Sequence, residues 1–174
     1  MSRELFARHF AKIMGAMGLA CFAMLLFGLY LQHAIGLEPC PMCIVQRYLL
    51  VCVGVCCVLA ALASNNAGGT VSVGLAMLCS SAGAFVAARQ SWLQWYPPEV
   101  VSCGRDLYGM IEQFPLQRVL PMVFKGSGDC SKVDWTFLGG SIANWSFVWF
   151  VVFVVFTCAA IVARRGGATP APRT

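Results

Sequence analysis

The chain has 174 residues, 59% of them hydrophobic and 11% charged. A soluble domain is ordinarily about a quarter charged, so too few charges are present to solvate a water-facing surface. The same shortage excludes a disordered chain, a coiled coil and a nucleic-acid-binding protein, and the net charge of +5 rests on only 12 Lys and Arg against 7 Asp and Glu. The composition points to an all-α membrane protein.

Residues 13–37, 48–88 and 135–163 contain no Lys, Arg, Asp or Glu. A helix needs about 20 apolar residues to cross the hydrocarbon core. The first and third stretches each supply one crossing. The second is about twice that length and is broken by Ser64-Asn65-Asn66-Ala67-Gly68-Gly69, a cluster of turn formers. Four spans follow, at about 13–35, 44–63, 70–89 and 143–163, each satisfying its own backbone hydrogen bonds in lipid. The simplest packing is an up-down four-helix bundle. Outward-facing loops then fall at about 36–43 and 90–142, and a Gly-rich tail, expected to be disordered, at about 166–174.

Lys and Arg near span ends set orientation. Arg3, Arg8 and Lys12 precede the first span, and Arg164, Arg165 and Arg173 follow the last. Both termini are therefore expected in the cytoplasm, with both long loops on the outer side. The basic start also fits a signal peptide, but its apolar run is longer than the 7–15 residues usual there. Within the second loop, Leu107, Met110, Ile111, Phe114 and Leu116 alternate with polar residues. That pattern suits a short amphipathic helix on the membrane surface.

The ten cysteines divide into two classes. Cys21, Cys52, Cys56, Cys57, Cys79 and Cys158 fall inside spans, where cysteine packs as a small apolar residue and its thiol is inert. Cys40, Cys43, Cys103 and Cys130 all fall in the two outer loops, which in a bacterium face an oxidising compartment where disulfides persist. Cys40-Pro41-Met42-Cys43 is a C-x-x-C pair, a pattern shared by redox motifs and zinc sites. Pro39 and Pro41 end an extended loop, which places Cys43 near the N-terminus of the second helix, where the helix dipole favours a thiolate.

Arg47 follows four residues later on the same face. Its guanidinium either stabilises the Cys43 thiolate or an anionic ligand beside it, or anchors the helix at the interface by snorkelling. Cys57 returns to the face of Cys43 but lies about 21 Å deeper, which argues against a relay of cysteines down the helix. Cys103 and Cys130 bound a segment rich in Pro, Gly and charge. A disulfide between them would staple it, at roughly 3–4 kcal/mol by the chain-entropy account, while the flexible Gly126-Ser127-Gly128-Asp129 context suits a sulfur that changes partner.

Two dithiols on one side of a bundle suggest an electron relay from a soluble dithiol, through the loop cysteines and the C-x-x-C pair, to a lipid-soluble acceptor. Haem attachment and nucleotide-binding motifs are missing. A quinone fits, because it takes two electrons and two protons, matching one dithiol oxidation. The other reading is a structural or zinc-binding tetraspan protein holding metal with the four outer cysteines, although the two pairs lie far apart in the chain and only one is C-x-x-C.

The residues resemble the disulfide bond formation protein B (DsbB) family over roughly residues 10–163. The resemblance rests on Gln32-His33, Cys40-x-x-Cys43 with Arg47, Leu93-Gln94 and Tyr96-Pro97 before Cys103, Pro115-Leu116, Val123-Phe124, Ser127-Gly128-Asp129-Cys130, Trp135 and Phe137-Leu138-Gly139. It implies a bacterial inner-membrane enzyme that reoxidises a DsbA-like periplasmic thioredoxin-fold oxidase and passes the electrons to ubiquinone or menaquinone. It also implies redox-active disulfides Cys40–Cys43 and Cys103–Cys130. Cys103 would form the mixed disulfide with the partner, Cys130 would attack Cys40, and the released Cys43 would engage the quinone with Arg47 in support. Gln90 stands where the best-known member has a histidine. It can donate a hydrogen bond to a quinone oxygen but cannot titrate near neutral pH. Gln94 is a further candidate for that pocket. Tetraspan oxidoreductases of the vitamin K epoxide reductase type carry their C-x-x-C late in the chain, whereas here it follows the first span.

Overall fold

The computed structural model describes residues 3–64, 66–96 and 130–166. Four helices account for most of them: α1 (Arg3–Ala34), α2 (Pro41–Leu62), α3 (Ala67–Trp95) and α4 (Ile142–Gly166). Each is long and apolar enough to cross a membrane. Consecutive helices pack on one another and α1 closes the ring against α4, the packing of a four-helix bundle. Large apolar side chains face outward, with Phe85 75% and Leu78 69% exposed. A surface of that kind belongs in lipid rather than water.

The sequence explains where the helices stop. Gly36 takes φ 77° and turns the chain so that the Leu37 N–H reaches the Leu31 carbonyl at 3.2 Å, a glycine-terminated helix end. α2 ends at Ala63, whose N–H bonds the Leu59 carbonyl, and a tight turn returns the chain into α3, with the Asn66 N–H on the Ala63 carbonyl at 3.1 Å. α3 runs on to Trp95, past the expected end near residue 89. Gln90 to Trp95 therefore sit on the helix rather than in the outer loop expected from residue 90, and none of them breaks helical geometry.

A feature not read from the sequence is a two-stranded hairpin, β1 (Thr136–Phe137) and β2 (Gly140–Ser141), paired Thr136↔Ser141 and Phe137↔Gly140. Its two-residue turn has positive φ at both Leu138 and Gly139, the geometry whose twist matches antiparallel strands. The Trp145 indole N–H donates to the Phe137 carbonyl at 2.9 Å and ties the hairpin to the first turns of α4. The amphipathic helix expected around residues 107–116 lies outside the described residues.

Two buried hydroxyls within the spans are satisfied by their own helices. The Thr157 hydroxyl donates to the Phe153 carbonyl at 2.8 Å and the Ser80 hydroxyl to the Met77 carbonyl at 3.0 Å, removing the cost of an unpaired hydroxyl in an apolar medium. At the end of the bundle opposite the C-x-x-C pair, the Arg164 guanidinium donates to the Asn66 carbonyl and the Thr70 hydroxyl and lies over the Phe10 ring. One side chain there joins α4, α3 and α1.

Helix contacts in a bilayer depend on small residues that let backbones approach. Gly83 of α3 lies against the face of Phe150 on α4, and a Cβ at Gly83 would fall 2.3 Å from a ring carbon of that buried side chain. Gly83→Ala should therefore lower stability by about 1–3 kcal/mol, the usual cost of overpacking. Thermal unfolding in detergent should show a reduced Tm, with Phe150→Leu in the same chain recovering part of the loss. An unchanged Tm would contradict the close α3–α4 crossing.

Candidate functional site

Cys40 has extended backbone (φ −76°, ψ 161°) and is the N-cap of α2, with Pro41 in the first helical turn. Pro suits that position because its missing N–H has no intrahelical acceptor to reach there. A cap side chain accepts from an N–H of the first turn. Here the acceptor is sulfur, and the Cys43 N–H reaches the Cys40 Sγ at 3.4 Å. The cap and the C-x-x-C spacing are thus one feature: folding the first turn of α2 brings the two sulfurs together.

The Cys40 thiol donates to the Cys43 Sγ at 3.2 Å. Two thiolates on one tetrahedral zinc would stand about 3.8 Å apart, given Zn–S bonds near 2.3 Å. The spacing and the S–H···S bond suit a dithiol better than a metal site. No disulfide joins Cys40 to Cys43.

α3 supplies the third part of the site. The Gln90 side chain is 3% exposed. Its Nε2 donates to the Cys43 Sγ at 3.2 Å and to the Cys40 Sγ at 3.4 Å, so one NH2 group forks across both sulfurs. Its Oε1 accepts from the Gln46 Nε2 at 2.6 Å. Gln46 lies three residues after Cys43 on α2 and is 6% exposed. Cys43 thus accepts from two donors at the positive end of a helix, an arrangement that favours the sulfur as thiolate.

The long segment between α3 and α4 supplies the third sulfur. Cys130 is fully buried and shares a side-chain hydrogen bond with Cys40. That bond, then the bond to Cys43, then burial push the Cys40 thiol well above the ordinary thiol range, so Cys40 holds its proton. Cys40 is therefore bonded to both Cys130 and Cys43. Cys103 lies outside the described residues.

Two expected site residues take different positions. Arg47 turns toward α1, where its guanidinium donates to the Gln32 Oε1 and, at 3.0 Å, to the Gly28 carbonyl. Gly28 has no side chain to shield that carbonyl, and a long Arg reaches it readily. The side chains that donate to Cys43 are Gln90 and Cys40. Gln94 sits near the end of α3. It accepts from the Ser141 hydroxyl at 2.5 Å and donates to the Lys132 carbonyl at 3.4 Å. Its amide fastens the segment that carries Cys130.

Gln46 was missed at the sequence level. Its signal was a polar residue three positions after Cys43 within an apolar run, so on the same helical face. Gln32 entered only as part of a resemblance, with no role attached. Of the six span cysteines, Cys21 and Cys57 are buried between α1 and α2, Cys56 and Cys79 are half-buried, and Cys52 and Cys158 are exposed; Cys52 and Cys79 share a side-chain hydrogen bond between α2 and α3.

Removing the Cys130 sulfur takes away the first cause of the raised Cys40 thiol. In reduced Cys130→Ala protein, Cys40 should gain thiolate and be alkylated by iodoacetamide faster than in the parent chain at neutral pH. Peptide-resolved mass spectrometry reads this directly, and an unchanged rate would contradict the Cys40–Cys130 contact.

Comparison with known proteins places this geometry in a family. The family described as disulfide bond formation protein DsbB matches residues 10–160. Disulfide bond formation protein B of Polaromonas naphthalenivorans is 63% identical over 153 residues, covering 88% of this chain and 91% of that protein. The protein of the same name from Albidiferax ferrireducens is 64% identical over 158 residues, covering 88% and 90%. That from Aromatoleum aromaticum is 49% identical over 167 residues, covering 95% and 96%. Four membrane-crossing helices, a capped C-x-x-C pair and a match over nearly the whole length agree: the chain belongs to the DsbB family of membrane oxidoreductases that act in disulfide bond formation.

Proposed function

We propose that the protein is a quinone-linked dithiol oxidase of the bacterial inner membrane, with both termini cytoplasmic and its two cysteine-bearing loops periplasmic. It reoxidises a DsbA-like thioredoxin-fold protein and delivers the electrons to ubiquinone or menaquinone. The observation that carries this reading is the convergence of three sulfurs in series, Cys130 on Cys40 and Cys40 on Cys43, with a buried amide donating to the last.

In the resting enzyme of this proposal, Cys40–Cys43 and Cys103–Cys130 are disulfides. A thiolate of the reduced partner attacks the Cys103 sulfur, a mixed disulfide forms, and Cys130 leaves as thiolate. Cys130 then attacks Cys40, and the Cys40–Cys43 bond breaks with Cys43 leaving. A low-pKa leaving group departs faster, and Cys43 is the sulfur that receives the helix dipole and the Gln90 donor. The partner's second thiol resolves the mixed disulfide at Cys103, which re-forms the partner's own disulfide. Cys103 thiolate displaces Cys40 from Cys130, restoring the loop disulfide and leaving Cys40 and Cys43 reduced. The dithiol oxidation releases two electrons and two protons.

The donor set suits a quinone as the acceptor. The partly buried Cys43 lies at the end of a lipid-facing helix. The Gln90 amide donates to its sulfur from α3, and the Arg47 guanidinium, one helical turn along α2, carries five N–H donors, more than the two bonded to α1. The quinone supplies a two-electron, two-proton sink. Gln90 donates without titrating, so it orients and stabilises negative charge but gives up no proton. Arg47 contributes fixed positive charge. Gln94 acts at a distance from the sulfur, holding the Lys132 carbonyl so that Cys130 stays within reach of Cys40.

Reduced protein in detergent, given a short-chain ubiquinone under anaerobic conditions, should convert it to quinol with matching loss of Cys40 and Cys43 thiols. Cys43→Ser should abolish quinol formation while leaving Cys103 and Cys130 able to exchange with a thioredoxin-fold partner. Quinol formation at the parental rate in Cys43→Ser would refute the assignment.

A further inference from the structure

Gln46 is buried in the site, yet no step of disulfide transfer needs it. Among the described residues its side chain donates to the Gln90 oxygen, 2.6 Å from its Nε2. We propose that Gln46 is a positioning residue, fixing the Gln90 amide with its NH2 group toward the Cys43 sulfur and its oxygen away from it.

The two ends of an amide are nearly the same size and opposite in polarity. Turned by half a rotation, Gln90 would fill the same space between α2 and α3 but aim a carbonyl oxygen at both sulfurs. Packing therefore does not choose between the orientations; the hydrogen-bond partners at the two ends of the amide do. Both glutamines are buried, at 6% and 3% exposure, so bulk water does not supply the partner at the oxygen end. Gln46 does, by placing an N–H on the oxygen of Gln90.

The consequence falls on Cys43. With the NH2 group forward, a thiolate there receives the Gln90 N–H at 3.2 Å beside the Cys40 thiol. A hydrogen bond to an ionised acceptor is stronger than a neutral one and favours the charged form. With the orientation reversed, the same residue would oppose the anion. Gln46 touches no sulfur in this arrangement and acts only through Gln90. The inference rests on the reading of Cys43 as the sulfur that carries negative charge.

The test uses the full-length protein, reduced, in detergent and with no quinone present. Alkylation by iodoacetamide is followed over a pH series, and the peptide containing Cys43 is quantified by mass spectrometry. Gln46→Met keeps an unbranched side chain of similar length and should slow Cys43 alkylation near neutral pH about tenfold, equivalent to one unit of thiol pKa. In a Gln90→Met background the same change should have an effect under about twofold, because the two residues act as one unit. Gln46→Asn, whose shorter amide falls short of Gln90, should behave like Gln46→Met and guards against a folding defect in one variant. Equal slowing with and without Gln90, or no slowing in either Gln46 variant, would overturn the proposal. Since no quinone enters the measurement, an error in the choice of electron acceptor would leave its result unchanged.

Discussion

The site depends on a buried chain of hydrogen bonds that crosses from α2 to α3 and back, from the Gln46 amide to the Gln90 oxygen, and from the Gln90 NH2 group to the sulfurs of Cys40 and Cys43. At the end of a membrane bundle an unpaired amide or an unsupported anion is costly. Each polar atom in the chain therefore needs its neighbour. The fork of two N–H groups over two sulfurs also sets the distance between α2 and α3 where the chemistry is placed. The rest of the bundle serves that placement. The cap at Cys40 and Pro41 starts α2 at the right residue, close packing at Gly83 and Phe150 seats α4 against α3, and Arg164 closes the opposite end.

The second constraint is the delivery of Cys130. Cys130 belongs to the segment leading into α4 and is brought to Cys40 by two fastenings. Gln94 binds the Lys132 carbonyl and the Ser141 hydroxyl, and the hairpin at residues 136–141 is anchored by Trp145. Neither fastening is ionic, so neither weakens with salt at the membrane surface. The hairpin also stacks Phe137 against Trp135, with Phe27 of α1 at the edge of Trp135. Aromatic side chains of this kind favour the boundary between lipid and water, and here they tie the segment carrying Cys130 to α1.

Much of this was legible in the sequence. Charge-free runs and one turn cluster are enough to read four helices, because a bilayer admits few other solutions. The C-x-x-C at the start of a helix was legible because Pro and the helix dipole act locally. Contacts set by packing between distant segments were less so. Helical spacing put Arg47 on the Cys43 face, but a flexible Arg selects among acceptors in three dimensions and found the open Gly28 carbonyl on α1. Gln90 was noticed as a substitute for a histidine, while its partner Gln46 looked like one polar residue in an apolar helix. The hairpin escaped notice because a strand of two residues has no periodicity to read.

The account turns on Cys40 as the sulfur that both other cysteines reach. A chain carrying Cys43→Ser together with Cys103→Ser leaves Cys40 and Cys130 as the two outer thiols. Oxidised in detergent and analysed by peptide mapping under non-reducing conditions, it should show Cys40 and Cys130 joined in one disulfide. Recovery of both as free thiols under conditions that oxidise the parent chain would contradict the placement of Cys130 on Cys40, and with it the proposed path of electrons.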